Sequence, residues 1–113
     1  MGIKVRCLYE AAYLTTSDVA IVSALPGVTY IIDKVTITNV SATAGVTATV
    51  RFVPNGGTAG TNNTVMSAKA LAVNECYTCP EAVGQILNPG AFISALASAN
   101  TSIVIRISGR EIT

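Results

Sequence analysis

The sequence predicts an all-β fold: a single β-sandwich, jelly-roll-like, of about eight short antiparallel strands over residues 1–113. Three observations carry this. Apolar side chains recur at every second position, most clearly Val46, Ala48, Val50 and Phe52 against Thr47, Thr49 and Arg51. The same stretches are rich in β-branched residues, which fit a pleated surface better than a helix. Turn residues such as Pro26-Gly27, Asn55-Gly56-Gly57 and Asn88-Pro89-Gly90 separate them at short intervals.

Taken in order, Ile3, Val5 and Cys7 alternate with Lys4 and Arg6, giving a first strand through about Tyr9. Residues 11–16 either continue it or form a second short one. Thr15-Thr16-Ser17-Asp18 is a turn signal that could also cap a helix. The β-branched Val19, Ile21 and Val22, ended by Pro26-Gly27, favour a strand over 20–24 instead. The organising stretch is 29–54, two long strands joined by Ser41-Ala42-Thr43-Ala44-Gly45, for which a hairpin is the economical reading. Ile31 and Ile32 are adjacent and break the alternation, so a β-bulge near Asp33-Lys34 is expected.

Residues 55–63 carry only small and polar side chains and predict an exposed loop. Residues 64–71 read as a strand, though their composition tolerates helix. Short strands follow at 76–79, ended by Pro80, and at 84–87. Residues 91–99 are alanine-rich, but Phe92-Ile93 and the flanking turns favour a strand. Asn100 then turns as a hairpin into Ile103, Ile105 and Ile107; Gly109 ends the last clear strand, with residues 111–113 as a candidate extension. Val50, Phe52, Ile105 and Ile107 are the expected core.

The chain of 113 residues is half hydrophobic and 12% charged, so Ser, Thr and Asn must supply most of its surface polarity. Such a surface suits an oligomer or assembly component. The net charge is +1 with no basic run to follow a phosphate backbone, which disfavours nucleic acid. No apolar run approaches the ~18 residues of a membrane span. Charges among the first ten residues argue against a signal peptide, and Arg6 stands where a myristoylation signal needs Ser or Thr. The expected compartment is a reducing cytosol, with Cys7, Cys76 and Cys79 as thiols.

Chemistry is sparse. Cys76-Tyr77-Thr78-Cys79 has redox-pair spacing, but it lies on an expected strand, where positions three apart point to opposite faces. With no histidine and only Cys7 besides, one chain cannot build a four-ligand cysteine zinc site. The six carboxylates form no close local pair, serine nucleophiles lack a histidine base, and Gly56-Gly57 opens no phosphate loop. The expectation is therefore a non-enzymatic protein with no cofactor and no metal.

Several segments, Leu14-Thr15-Thr16-Ser17, Leu25-Pro26-Gly27, Val35-Thr36-Ile37-Thr38-Asn39, Val50-Arg51-Phe52-Val53-Pro54-Asn55-Gly56-Gly57, Asn88-Pro89-Gly90-Ala91-Phe92-Ile93 and Ile105-Arg106-Ile107-Ser108-Gly109, occur in this order. Their order resembles that in small β-sandwich virion proteins of tailed bacteriophages over most of the chain after Leu14. Ala72-Val73-Asn74-Glu75 departs from it, since such proteins often show a Pro-Gly turn there. The resemblance implies a structural virion protein. The expected role is a capsid decoration, or cement, protein, assembled in the bacterial host cytoplasm as a homotrimer against the major capsid protein or other virion proteins. The alternative is a host-surface or carbohydrate-binding module on the tail or fibre; the absence of Trp and the scattered tyrosines favour the structural role. Candidate assembly contacts are Ile3, Val5 and Tyr9 in residues 1–13, expected to act as an N-terminal arm or strand, and Asn55, Gly56, Gly57, Asn62 and Asn63 in the long loop.

Overall fold

Alternation becomes strand where one face of the chain is buried, and most of the nine strands bury such a face in a shared core. The computed structural model describes residues 2–113. They form β1 (Ile3–Tyr13), β2 (Val19–Ser23), β3 (Thr29–Asn39), β4 (Val46–Val53), β5 (Thr64–Leu71), β6 (Cys76–Tyr77), β7 (Ile86–Leu87), β8 (Phe92–Ala97) and β9 (Ile103–Ile112). Single 3₁₀ turns lie at Thr61–Asn63 and Pro80–Ala82, and the described residues contain no α-helix.

One sheet has the order β1-β9-β3-β6, with β7 pairing elsewhere along β3; the other has the order β2-β8-β4-β5. Every pair is antiparallel. Tyr77 pairs with Ile37 and Leu87 with Tyr30, so β6 and β7 act as one interrupted strand and each sheet is four strands wide. The N-terminal strand joins the last strand, and the chain crosses between sheets at most connections. That is the strand order of a jelly roll, and the expected β-sandwich is the observed fold.

The hairpin expected at residues 41–45 is not formed. β3 belongs to one sheet and β4 to the other, so this connection arches across the sandwich. The same correction applies at Asn100, where β8 and β9 lie in different sheets. The reason is physical: alternation states that each strand has a buried face, and two strands can satisfy it from opposite sides of one core as well as side by side. Asn39 makes the first arch possible. It is fully buried, and its Nδ2 donates to the Ala44 carbonyl (3.0 Å) and the Leu71 carbonyl (3.1 Å). Its Oδ1 accepts from the Ser41 N–H at 2.9 Å. The turn's polar backbone is thereby satisfied where it leaves the sheet.

The core lies between the sheets. Ile32, Val35, Ile37, Val50, Ile93, Ile103, Ile105 and Ile107 are wholly buried there. Each large aliphatic side chain contributes roughly 1.5–3 kcal/mol by leaving water. Phe52 is a correction: it is only half-buried, because it stands near the end of β4 where the sandwich opens. Val53 is the buried residue at that end. The bulge expected at Asp33-Lys34 is present as a register shift between Ile32 and Lys34. Opposite it, Gly109 continues β9 rather than ending it. A Cβ there would meet the Ile31 carbonyl oxygen and the Leu8 side chain, so only glycine lets β9 come this close to β3.

The strand expected over 76–79 stops at Tyr77, because Cys79 takes a left-handed conformation (φ 42°) and Pro80 opens a 3₁₀ turn. The strand expected over 84–87 is limited to Ile86–Leu87.

Candidate assembly surface

β1 is the outermost strand of its sheet, and its far edge meets no partner strand among the described residues. Register fixes which way its side chains point. On β9, Ile105, Ile107 and Gly109 are buried and Arg106 and Arg110 are exposed. Ile3 pairs with Ile112, Val5 with Arg110 and Cys7 with Ser108, so these three point away from the core. Lys4 pairs with Glu111 and Arg6 with Gly109, on the core side. The first strand thus turns its apolar face outward, with Ile3 63% and Val5 83% exposed. Ile86, 58% exposed, pairs with Ile31, which pairs with Arg110. The outer face of this sheet therefore carries Ile3, Val5, Ile31, Ile86 and Ile112 around Arg110, whose guanidinium is held by Asp33 at 3.0 Å.

Two register shifts interrupt β1, between Cys7 and Tyr9 and between Tyr9 and Ala12. They reverse the face, so Tyr9 lies opposite the buried Ile107 and packs on the core. Tyr9 is thus not brought to the surface that Ile3 and Val5 share. Bulges and inward-pointing charges both blunt an open edge against unselective pairing. Arg6 donates to Glu111 at 2.7 Å, where the carboxylate is mostly buried. The neighbouring Tyr30 has its phenol raised above the usual value, first by burial and then by the Glu111 charge.

The second group of candidates, Asn55, Gly56, Gly57, Asn62 and Asn63, sits on the connection from β4 to β5 in the other sheet. β3 begins beside Ile112 and Leu87, at the same end of the sandwich. The two groups therefore share an end but lie on opposite edges. Asn55, Gly56 and Asn62 are exposed, and Asn63 braces the loop from within. Its Oδ1 accepts from Gly60 N–H (3.0 Å) and its Nδ2 donates to the Thr58 carbonyl (3.1 Å).

Reactive groups are dispersed or occupied. Asp18 accepts from Arg51 and from Ser94 Oγ, the latter at 3.0 Å, tying β2, β4 and β8 together on the outer face of their sheet. The three cysteines are free thiols. The Cys79 thiol is pushed up to about 11, first by burial and then by the Glu81 carboxylate, which makes it a poor nucleophile at neutral pH. Among the described residues no group of three or more His, Cys, Asp or Glu side chains could hold a metal ion. Sequence reasoning missed Asn39, Ile31 and Ile86. Asn39 read as strand and Ile86 as part of a short strand, and only the sheet pairing reveals their surroundings.

No family model, no curated protein and no solved structure matches this chain.

Proposed function

We propose that the chain is a non-enzymatic structural protein of a virion, a capsid decoration protein that self-associates as a trimer and adds to a preformed phage head. The observation that carries this reading is the open β1 edge with Ile3 and Val5 turned outward. An exposed apolar stripe beside unpaired backbone groups is a ready acceptor for a neighbour's strand or sheet edge. Jelly rolls are common in viral capsid domains, which supports the reading by analogy of fold.

The charges on β1 bear on symmetry. Within the regular stretch 3–7, antiparallel pairing with a second β1 centred on Lys4, Val5 or Arg6 sets like charges opposite: Lys4 with Lys4, Lys4 with Arg6, or Arg6 with Arg6. An isologous dimer through this edge is disfavoured. Contact between β1 and a different surface of the next copy is heterologous, and where its rotation closes it gives a ring, the geometry three-fold association needs.

Sedimentation measurements on the purified protein, followed by mixing with undecorated phage heads, test the proposal. A trimer that co-sediments with heads and raises their resistance to heat supports it. A strict monomer that binds neither heads nor any other virion part overturns it.

A further inference from the structure

A cleft of about 470 Å³ opens at the end of the sandwich where β4 runs out, between Phe52, residues 53–55 and the segment around β7. Its composition defines what it can hold. No ionisable side chain lines it. Its apolar side is made by the half-buried Phe52 ring, the buried Leu87 and the exposed Ile86. Its polar side is three carboxamides, Asn55, Gln85 and Asn88.

These amides are available and in part fixed. The Asn55 and Asn88 side chains make no hydrogen bond among the described residues. Asn55 rests against Gly90, where a Cβ would stand 2.6 Å from its Cγ. Gly90 also takes φ 82°, so the turn both requires glycine and leaves the space that seats the Asn55 amide. Gln85 is anchored by its backbone, whose carbonyl accepts from Ile32 N–H at 2.9 Å. Its Nε2 donates to the Glu81 carbonyl at 3.3 Å, which leaves Oε1 as an acceptor.

We propose that this cleft binds a neutral pyranose ring of a glycan. Each carboxamide offers a donor and an acceptor, and so does each sugar hydroxyl, so neighbouring amides can satisfy vicinal hydroxyls without any net charge. One face of a pyranose presents C–H bonds, which are apolar and weakly positive, and the face of the Phe52 ring is apolar and negative. A charged sugar finds no counter-ion here and loses hydration on entry. The volume falls within the usual range for small-ligand sites, roughly 300–1,000 Å³. With one aromatic side chain and three amides lining an open cleft, binding of a single sugar is weak, with Kd on the order of 1 mM. The site does not depend on the virion reading, because it requires only this chain.

The experiment is an amide ¹H–¹⁵N titration of the full chain with D-glucose, D-galactose and N-acetyl-D-glucosamine. The expected result is saturable shifts with at least one of these sugars, confined to residues 52–56 and 85–91. The doubly substituted Asn55→Ala, Asn88→Ala protein, with both positions exposed and its remaining spectrum unchanged, should bind at least tenfold more weakly. Gln85→Ala serves as an independent variant should the double substitution disturb the fold. No saturable shift with any of the three sugars overturns the proposal. So do shifts centred elsewhere, unweakened binding in the variants, or tighter binding of N-acetylneuraminic acid than of the neutral sugars. Loss of head binding with sugar binding intact would overturn only the virion reading.

Discussion

Asn39 shows how much one buried side chain can decide. Its amide satisfies two carbonyls and one N–H at the arch between β3 and β4. Asn39→Ala removes all three bonds and leaves the buried Leu71 carbonyl without this donor. We expect a loss of about 2–3 kcal/mol in urea titrations, more than for an average point substitution. Asn39→Asp keeps the acceptor for Ser41 but faces two carbonyl oxygens with a carboxylate, so at neutral pH it should be no less damaging. Cys79 offers a second measurement at this scale. Its thiol pKa rises from 9.0 to about 11 on folding, chiefly by burial. The folded state therefore holds this proton more tightly than the unfolded state does. The stability it contributes is complete below the unfolded value and is lost as the pH rises through the folded one. Between about pH 9 and 11 the wild-type chain should lose on the order of 2 kcal/mol more than Cys79→Ala. Parallel loss in the two proteins would show that the thiol is not the titrating group.

At the scale of single elements, β1 is where the proposed assembly can be tested apart from folding. Val5 points away from the core and is 83% exposed, so Val5→Lys should leave stability within about 0.5 kcal/mol of wild type. A lysine on an open edge opposes strand addition, so the same substitution should abolish self-association and head binding in sedimentation assays. Intact assembly in the variant would move the contact to another surface. Two of the long strands were legible from alternation: β4 and β9 fall where the two-residue repeat places them, and the bulge at Asp33 announced itself as two adjacent isoleucines; β8 was legible only from Phe92-Ile93 and the turns on either side. What alternation could not give was partnership. It assigns a face to each strand but not a neighbour, which is why both arches read as hairpins. Nor could it show that Ile3 and Val5 face outward, because that follows from pairing with β9, about a hundred residues away. The cleft was least legible of all. Phe52 and Asn55 come from one segment and Gln85 and Asn88 from another about thirty residues on, and Asn88 read as nothing more than part of a turn.

At the scale of the whole molecule, the topology sets an order of folding. Among the described residues, β4 and β5 are the one pair of sheet neighbours joined directly in sequence. β1 pairs with β9, so that pair forms only after the two ends of the chain meet, and the entropy of that closure precedes any contact it yields. Folding should accordingly be slow for the chain's size, in the range of milliseconds to seconds. The β4–β5 pair, where Met66 lies opposite Val50, is the natural place for structure to begin. Met66→Ala and Ile107→Ala each delete buried volume and should each cost about 2–5 kcal/mol. Their kinetic signatures should differ. Met66→Ala should act mainly by slowing folding, since its contacts are already made in the transition state. Ile107→Ala, at the centre of β9, should act mainly by speeding unfolding. Stopped-flow chevrons for the two variants test this directly. If Ile107→Ala proves the stronger brake on folding, the long-range β1-β9-β3 sheet forms first, and the local pair waits on it.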